Sequence, residues 1–289
     1  MPEVRFTKAH GAGNDFVIVA DPEGTFSLTA TTAVALCDRR TGVGGDGILR
    51  VAATSSIEGH ENDASAAPWF MDYRNADGSL GAMCGNGIRV FARYLVDAGL
   101  SQPGEFAIAT RAGVYTVKVP REGDVTVDMG VPILGDQCAR VKVAGDWLDS
   151  VNVDMGNPHA VVLLNNVADA GPLLKPPAYT PESVYPDGVT FDFVAHLETR
   201  RLRMRVYERG VGETLSCGTG ACAAVVTVAR RDRVPGNARY IVETLGGELA
   251  VAMQPHGRME LTGPALLVAD GTWRDQAWSP RPCTLLPGN

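Results

Sequence analysis

A cysteine followed by Gly-x-Gly at the start of an amphipathic stretch occurs twice in the chain, as MCGNGIRVFARYL from Met83 and as SCGTGACAAVVTVARR from Ser216. Cys84 and Cys217 lie 133 positions apart, and nine residues before them stand Asn75 and Glu208. Downstream, FAIATRAGVYTV from Phe106 and YIVETLGGELAV from Tyr240 match at an offset of 134, aligning Thr110 with Thr244, Gly113 with Gly247 and Val117 with Val251. Upstream, GNDFVIV from Gly13 and GNPHAVV from Gly156 match at an offset of 143. Three anchors in one order, at nearly one spacing, mark an internal duplication, and that constrains the fold more than any composition does.

Each half reads as strands, a polar turn, a central helix that starts just after the cysteine, and a strand hairpin. The helices are predicted at Gly85 to Asp97, closed by Gly99 as a C′ glycine, and at Gly218 to Arg231, with a further one over Thr31 to Arg40. Alternating stretches such as RLRMRVYE and VTVDMG make strands the majority. The fold class is therefore mixed α/β (α+β), with two pseudo-symmetric lobes and a cleft between them. DMGVPILG, with Pro132 and Gly135, sets the expected boundary, giving a lobe over 1–129 and a second over 130–265.

A net charge of -7 argues against a nucleic-acid partner, which needs concentrated positive charge. The basic cluster ARRDRVPGNAR falls where the second helix ends and reads as cations complementing its C-terminus. With no long apolar run and no signal-like N-terminus, no membrane is expected and the location is expected to be the cytoplasm. The 6 cysteines then read as reduced thiols.

The first N–H groups of a helix lack intrahelical partners and carry the positive end of its dipole. A cysteine placed there is expected to have its pKa lowered to roughly 3.5–7.5. Gly85, Asn86, Gly218 and Thr219 are candidates to cradle a small anion; the plainer alternative is that the glycines let a helix start close to another backbone. Cys217 and Cys222 project about 140° apart on a helix, so they do not suggest a metal site. Cys37, Cys138 and Cys283 lack such a context and read as packing. Two thiols facing each other across a cleft suit the inversion of a stereocentre in a small molecule. A thiolate takes a proton from one face of a carbon while a thiol delivers one to the other.

The segments HGAGNDFV, NADGS, MCGNGIR, MGNPHAVV, YERGVGET and CGTGACAA together resemble the diaminopimelate epimerase family, in the family's order from residue 10 to 224. The resemblance implies a cofactor-independent enzyme that interconverts LL- and meso-diaminopimelate, in the supply of lysine and peptidoglycan precursors, and suggests a homodimer. It implies lobes with strands wrapped around a central helix, and a last strand within about 266–289 returning to the first lobe. It makes Cys84 and Cys217 the acid/base pair, with Asn14, Asn75, Asn157, Glu208 and Arg209 at substrate positions and Gly85, Asn86, Gly218 and Thr219 at the carboxylate. His159 and Glu208 match residues that set the thiols' proton affinity.

The residues themselves leave bland alternatives: turn bonding for the asparagines and His159, a surface pair for Glu208 and Arg209. Two positions depart from the family: Gly47 stands where a glutamine contacts substrate, and Thr190 where an asparagine does, so both bear on the grip at the non-reacting end. Competing readings are a proline racemase-like enzyme, a phenazine-type isomerase, which would lack the cysteine pair, and an acyl transferase using Cys217 and His159.

Overall fold

The computed structural model describes residues 3–274. The first half contributes strands β1 (Glu3–Gly11), β2 (Asn14–Ala20), β3 (Gly47–Ala53), β4 (Trp69–Asn75), β5 (Gly104–Thr110), β6 (Gly113–Val119) and β7 (Val125–Asp128), with helices α1 (Ala30–Cys37) and α2 (Gly85–Asp97). A short β8 (Ile133–Leu134) and the hairpin β9 (Arg140–Val143) with β10 (Asp146–Asp149) precede the second half. That half holds β11 (Val151–Asp154), β12 (Pro158–Leu164), β13 (Tyr179–Thr180), β14 (Thr190–Glu198), β15 (Arg201–Glu208) and β16 (Gly212–Thr214). Helix α3 (Gly218–Arg231), β17 (Ala238–Thr244), β18 (Gly247–Met253), β19 (Met259–Gly263) and β20 (Leu266–Arg274) complete it.

The duplication reappears as one pairing pattern used twice. β1–β2 is antiparallel, β2–β3 parallel, β3–β4 antiparallel, β4–β5 parallel, and β5–β6–β7 antiparallel. β11–β12, β12–β14, β14–β15, β15–β17 and β17–β18–β19 repeat that alternation strand for strand. Even the hairpin tips agree: Thr110 Oγ1 donates to Gly113 O at 2.9 Å, and Thr244 Oγ1 to Gly247 O at 2.8 Å. The halves join where β7 runs antiparallel to β19, and Thr126 and Thr262 share a hydroxyl hydrogen bond of 2.8 Å there. Each half also lends a strand: β8 pairs with β11, and β20 pairs with β1. Residues 266–274 of the expected returning segment thus lie on the first half, and 275–289 fall outside the described residues.

α2 and α3 are buried nearly all round, as helices enclosed by strands are, and the polar Asn86, Arg89 and Arg93 of α2 are buried with the apolar residues. Ile88, Phe91 and Leu95 of α2 and Ala221, Cys222 and Val225 of α3 belong to one core cluster that also takes in Phe16, Met71, Val194 and Met204 from the strands. Helix ends follow local chemistry. Gly99, at φ 71°, stops α2 as predicted. α3 ends without glycine: Arg233 takes φ 53° and Val234 N–H reaches back to Ala229 O at 2.8 Å. α1 ends three residues short of the predicted Arg40, because the Asp38 carboxylate captures the N–H groups of Arg40 and Thr41 at 2.8 and 2.6 Å and turns the chain. No helix among the described residues is long and apolar enough to cross a membrane.

Candidate active site

Both cysteines are the N-caps of their helices, with extended backbones: φ/ψ of -143°/120° at Cys84 and -127°/117° at Cys217. The two helix mouths abut. A Cβ on Gly218 would lie 3.3 Å from Gly85 Cα and 2.7 Å from Leu261 Cδ2, and one on Gly85 would lie 3.4 Å from Gly218 Cα. The plainer account of these glycines, close approach of two backbones, therefore holds. It is also what brings the two thiol-bearing caps to one place. Two dipoles pointing their positive ends at the same spot favour an anion there.

Tight turns bring the asparagines to the mouths. Ala12 and Gly13, with φ of 52° and 80°, form the two-residue turn between β1 and β2, and the next residue is Asn14. Its Nδ2 donates to Asp46 Oδ2 at 2.7 Å, while its Oδ1 accepts from Cys84 Sγ at 3.5 Å and from Asn86 Nδ2 at 3.4 Å. Asn86 Nδ2 also donates to Ser216 O of the other half at 3.0 Å, a buried contact between the two helix mouths. Cys84 Sγ accepts from the Gly87 N–H at 3.4 Å, and Cys217 Sγ lies 3.3 Å from Thr219 Oγ1.

On the second half, Asn157 follows Gly156 (φ 92°), and its Oδ1 lies 3.2 Å from His159 Nε2. His159 is fully buried, and its Nδ1 lies 2.7 Å from Asp192 Oδ2. Register places His159 beside Thr190, whose hydroxyl accepts from the Arg209 N–H at 3.4 Å. Glu208 accepts from Thr214 Oγ1. The Arg209 side chain is exposed and donates to Asp187 O at 3.1 Å rather than to Glu208, so the two are not a surface pair.

Burial reverses one expectation. The helix N–H groups do favour the thiolate, through Gly87 and Asn86 at Cys84 and Gly220 at Cys217, but desolvation outweighs them. The Cys84 thiol is pushed up to about 11 and that of Cys217 well above the ordinary range. Glu208 opposes the thiolate at both sites, so its carboxylate lies within electrical reach of both, and burial in turn raises the Glu208 carboxyl. Both sulfurs therefore rest as thiols.

Three residues at the site escaped the sequence reading. Tyr73 fills the space above Gly47: a Cβ on Gly47 would lie 2.6 Å from Tyr73 Cε2, and one on Gly81 would lie 2.1 Å from Tyr73 Cδ1. The ring is wedged between the two glycines, and its hydroxyl donates to Asn75 Oδ1 at 2.7 Å. The departure at Gly47 is thus matched by a tyrosine from the neighbouring strand, which no local pattern in the sequence signals. Asp192, an acid amid the aromatic run TFDF, is fully buried and touches His159. Arg89, on the α2 face below Gly85, is fully buried as well.

Two matching lobes with a thiol cap at each of two abutting helices define a two-lobed isomerase of the racemase and epimerase kind, and solved structures share the fold. A Bacillus anthracis phenazine biosynthesis protein of the PhzF family superposes with a TM-score of 0.70 at 16% identity, covering 95% of this chain and 100% of its own. A hydroxyproline epimerase from Agrobacterium vitis gives 0.66 at 16% identity, covering 93% and 92%. The sequence narrows the class. The diaminopimelate epimerase family model matches residues 6–134 and 151–268, and the chain belongs to that family. The diaminopimelate epimerase of Streptomyces coelicolor is 49% identical, covering 95% of this chain and 96% of its own, and that of Thermobifida fusca 44%, covering 94% and 98%. The chain is accordingly an isomerase.

Proposed function

We propose that the chain interconverts LL- and meso-diaminopimelate by moving a proton between two sulfurs. The observation that carries this is the abutment of Gly85 and Gly218, which brings the Cys84 and Cys217 caps together. One sulfur, as thiolate, takes the α-proton: the C–H bond breaks and its electron pair moves toward the substrate carboxylate, which the N–H groups at Gly85, Asn86, Gly218 and Thr219 hold. The other thiol gives its proton to the opposite face. The inverted centre leaves with the two sulfurs' roles exchanged, so protons balance without a cofactor or metal. Because both sulfurs are protonated before substrate binds, one of them must first lose its proton to solvent, and the helix N–H groups together with the substrate ammonium favour the thiolate it leaves.

Asn14, Asn75 and Asn157 offer donors and acceptors to the amino acid, Glu208 an acceptor for its ammonium, and Arg209 a fork for the distal carboxylate. His159 and Glu208 tune the sulfurs. At the non-reacting end Thr190 keeps a hydroxyl, and the Tyr73 hydroxyl stands in for the side chain that Gly47 lacks. The working unit is a cytoplasmic homodimer serving lysine and peptidoglycan precursor synthesis. Its lobes are 1–129 with 266–289, and 130–265.

The acyl-transfer reading is weaker, since the ring nitrogens of His159 face Asp192 and Asn157. The test is LL-diaminopimelate in D2O with no added cofactor. Deuterium enters the α-carbon, and either Cys84→Ala or Cys217→Ala alone abolishes epimerisation in a folded protein. A mild Cys84→Ala, or no deuterium uptake by the wild-type chain, overturns the proposal.

A further inference from the structure

Arg89 heads the fully buried side chains by size, in the middle of the core. Its guanidinium meets no carboxylate at ion-pair distance among the described residues. Nη1 donates to Gly85 O at 2.9 Å, Nη2 to Asn86 Oδ1 at 2.8 Å, and the buried Nε has no acceptor. Burying a charge without a counter-charge is costly, so a fold that keeps one has a use for it.

Symmetry shows how much room is made for it. Adding 133 to 89 reaches Cys222 on α3, also fully buried, so the copy places a small thiol where the first half has a guanidinium. Gly263 on β19 leaves a further gap: a Cβ there would lie 3.3 Å from both Nε and Nη2. One cation thus occupies space that two symmetric side chains could not share.

The bonds Arg89 makes are to the mouth itself. With Asn86 Oδ1 engaged, the amide must turn its Nδ2 away from Arg89, where it meets Asn14 Oδ1 and, in the other half, the carbonyl of Ser216, the residue before Cys217. We propose that Arg89 is a positioning residue for the proton transfer, holding Asn86 so that the mouth of Cys84 stays tied to that of Cys217 and supplying the fixed positive charge that favours the Cys84 thiolate. This rests on the two-thiol reading above. Desolvation brings the Arg89 guanidinium down to about 10, which leaves it charged at neutral pH, and the charges of Arg89 and Cys84 favour one another.

The test uses the full chain, with folding checked by circular dichroism, and two readouts: steady-state epimerisation, and the pH dependence of Cys84 alkylation by iodoacetamide, followed by mass spectrometry of the peptide carrying Cys84. Arg89→Lys keeps the charge but not the fork. It is expected to lower kcat about tenfold with KM little changed and the alkylation midpoint in place, the cost of about 1.4 kcal/mol in transition-state positioning. Arg89→Met is expected to move the midpoint up by about one pH unit, a tenfold slower alkylation at neutral pH. Wild-type kcat in Arg89→Lys overturns the positioning role, and an unmoved midpoint in folded Arg89→Met overturns the electrostatic one. If Arg89→Met does not fold, Arg89→Lys decides alone. Failure of the two-thiol reading is seen separately, in the wild-type deuterium experiment.

Discussion

Gly218→Ala separates the spacing of the two helix mouths from the stability of the fold. The added Cβ would lie 2.7 Å from Leu261 Cδ2, 3.3 Å from Gly85 Cα and 3.6 Å from Gly85 C. The leucine methyl can swing aside, but the Gly85 contacts are backbone, so the mouths must part by a few tenths of an ångström. Overpacking of this kind costs about 1–3 kcal/mol. Replacing a helical glycine by alanine returns up to about 1 kcal/mol. The net loss is then about 0–3 kcal/mol, a fall in Tm of no more than about 12 °C for a chain of this size. Activity should suffer more than that suggests, because a misplacement of 1 Å can cost about 10²-fold and a few tenths correspond to roughly fivefold in kcat. Gly85→Ala meets its nearest atoms at 3.3–3.4 Å and should lose less than about threefold in kcat by the same scale. In the double variant two methyls compete for one gap, so the losses should exceed the product of the single effects. Thermal unfolding and the rate of α-proton exchange measure all three proteins. Wild-type kcat in Gly218→Ala, or a Gly85→Ala variant worse than Gly218→Ala, refutes the claim that the mouths are held at a working distance.

Two further substitutions probe the residues that the motifs did not reveal. Asp192→Asn removes a negative charge that raises the Cys217 thiol; the sign is therefore downward, and the pH at which Cys217 alkylates should fall. The same variant replaces the carboxylate that hydrogen-bonds His159 Nδ1 with an amide, at a cost of about 1–3 kcal/mol in denaturant unfolding. An unchanged or higher alkylation pH contradicts this. Tyr73→Phe deletes the hydroxyl bonded to Asn75 and should raise KM several-fold with kcat nearly constant, as the loss of about 0.5–1.5 kcal/mol of uniform binding requires. Steady-state kinetics decides, and an unchanged KM removes Tyr73 from the grip on substrate.

What the sequence made legible was whatever one stretch of chain determines by itself. α2 runs from Gly85 to Asp97 and α3 from Gly218 to Arg231, as expected, because Cys-Gly-x-Gly opens each helix and local signals close it. The pairing of the halves was legible as well, since a duplication implies it. Side chains whose role depends on a neighbour distant in sequence were not. Nothing in DYRNADGS says that the Tyr73 ring slots between Gly47 and Gly81, and nothing in TFDFVAH says that Asp192 meets a histidine 33 residues earlier. The acidity of the thiols departs from the motif's expectation for a related reason: the N–H groups of a helix mouth are local and can be read from a motif, while the strands that desolvate the sulfur are not.

The exchange of β8 and β20 between the halves bears on how the molecule is made. β1 is among the earliest described residues to leave the ribosome, and its partner β20 among the last; Glu3 pairs with Arg274. Throughout synthesis, that flank of the first strand has no native partner, and a nearly finished first half waits with an open edge. Pairing over so long a stretch of chain is slow to close and exposed to mispairing until it does. A simple gene duplication would yield two modules that mature one after the other. Here each module lends the other a strand, but not at the same time: the second half can pair β11 with β8 as soon as both have emerged, while the first half must wait for β20, and a chain halted before residue 266 would leave β1 without that partner.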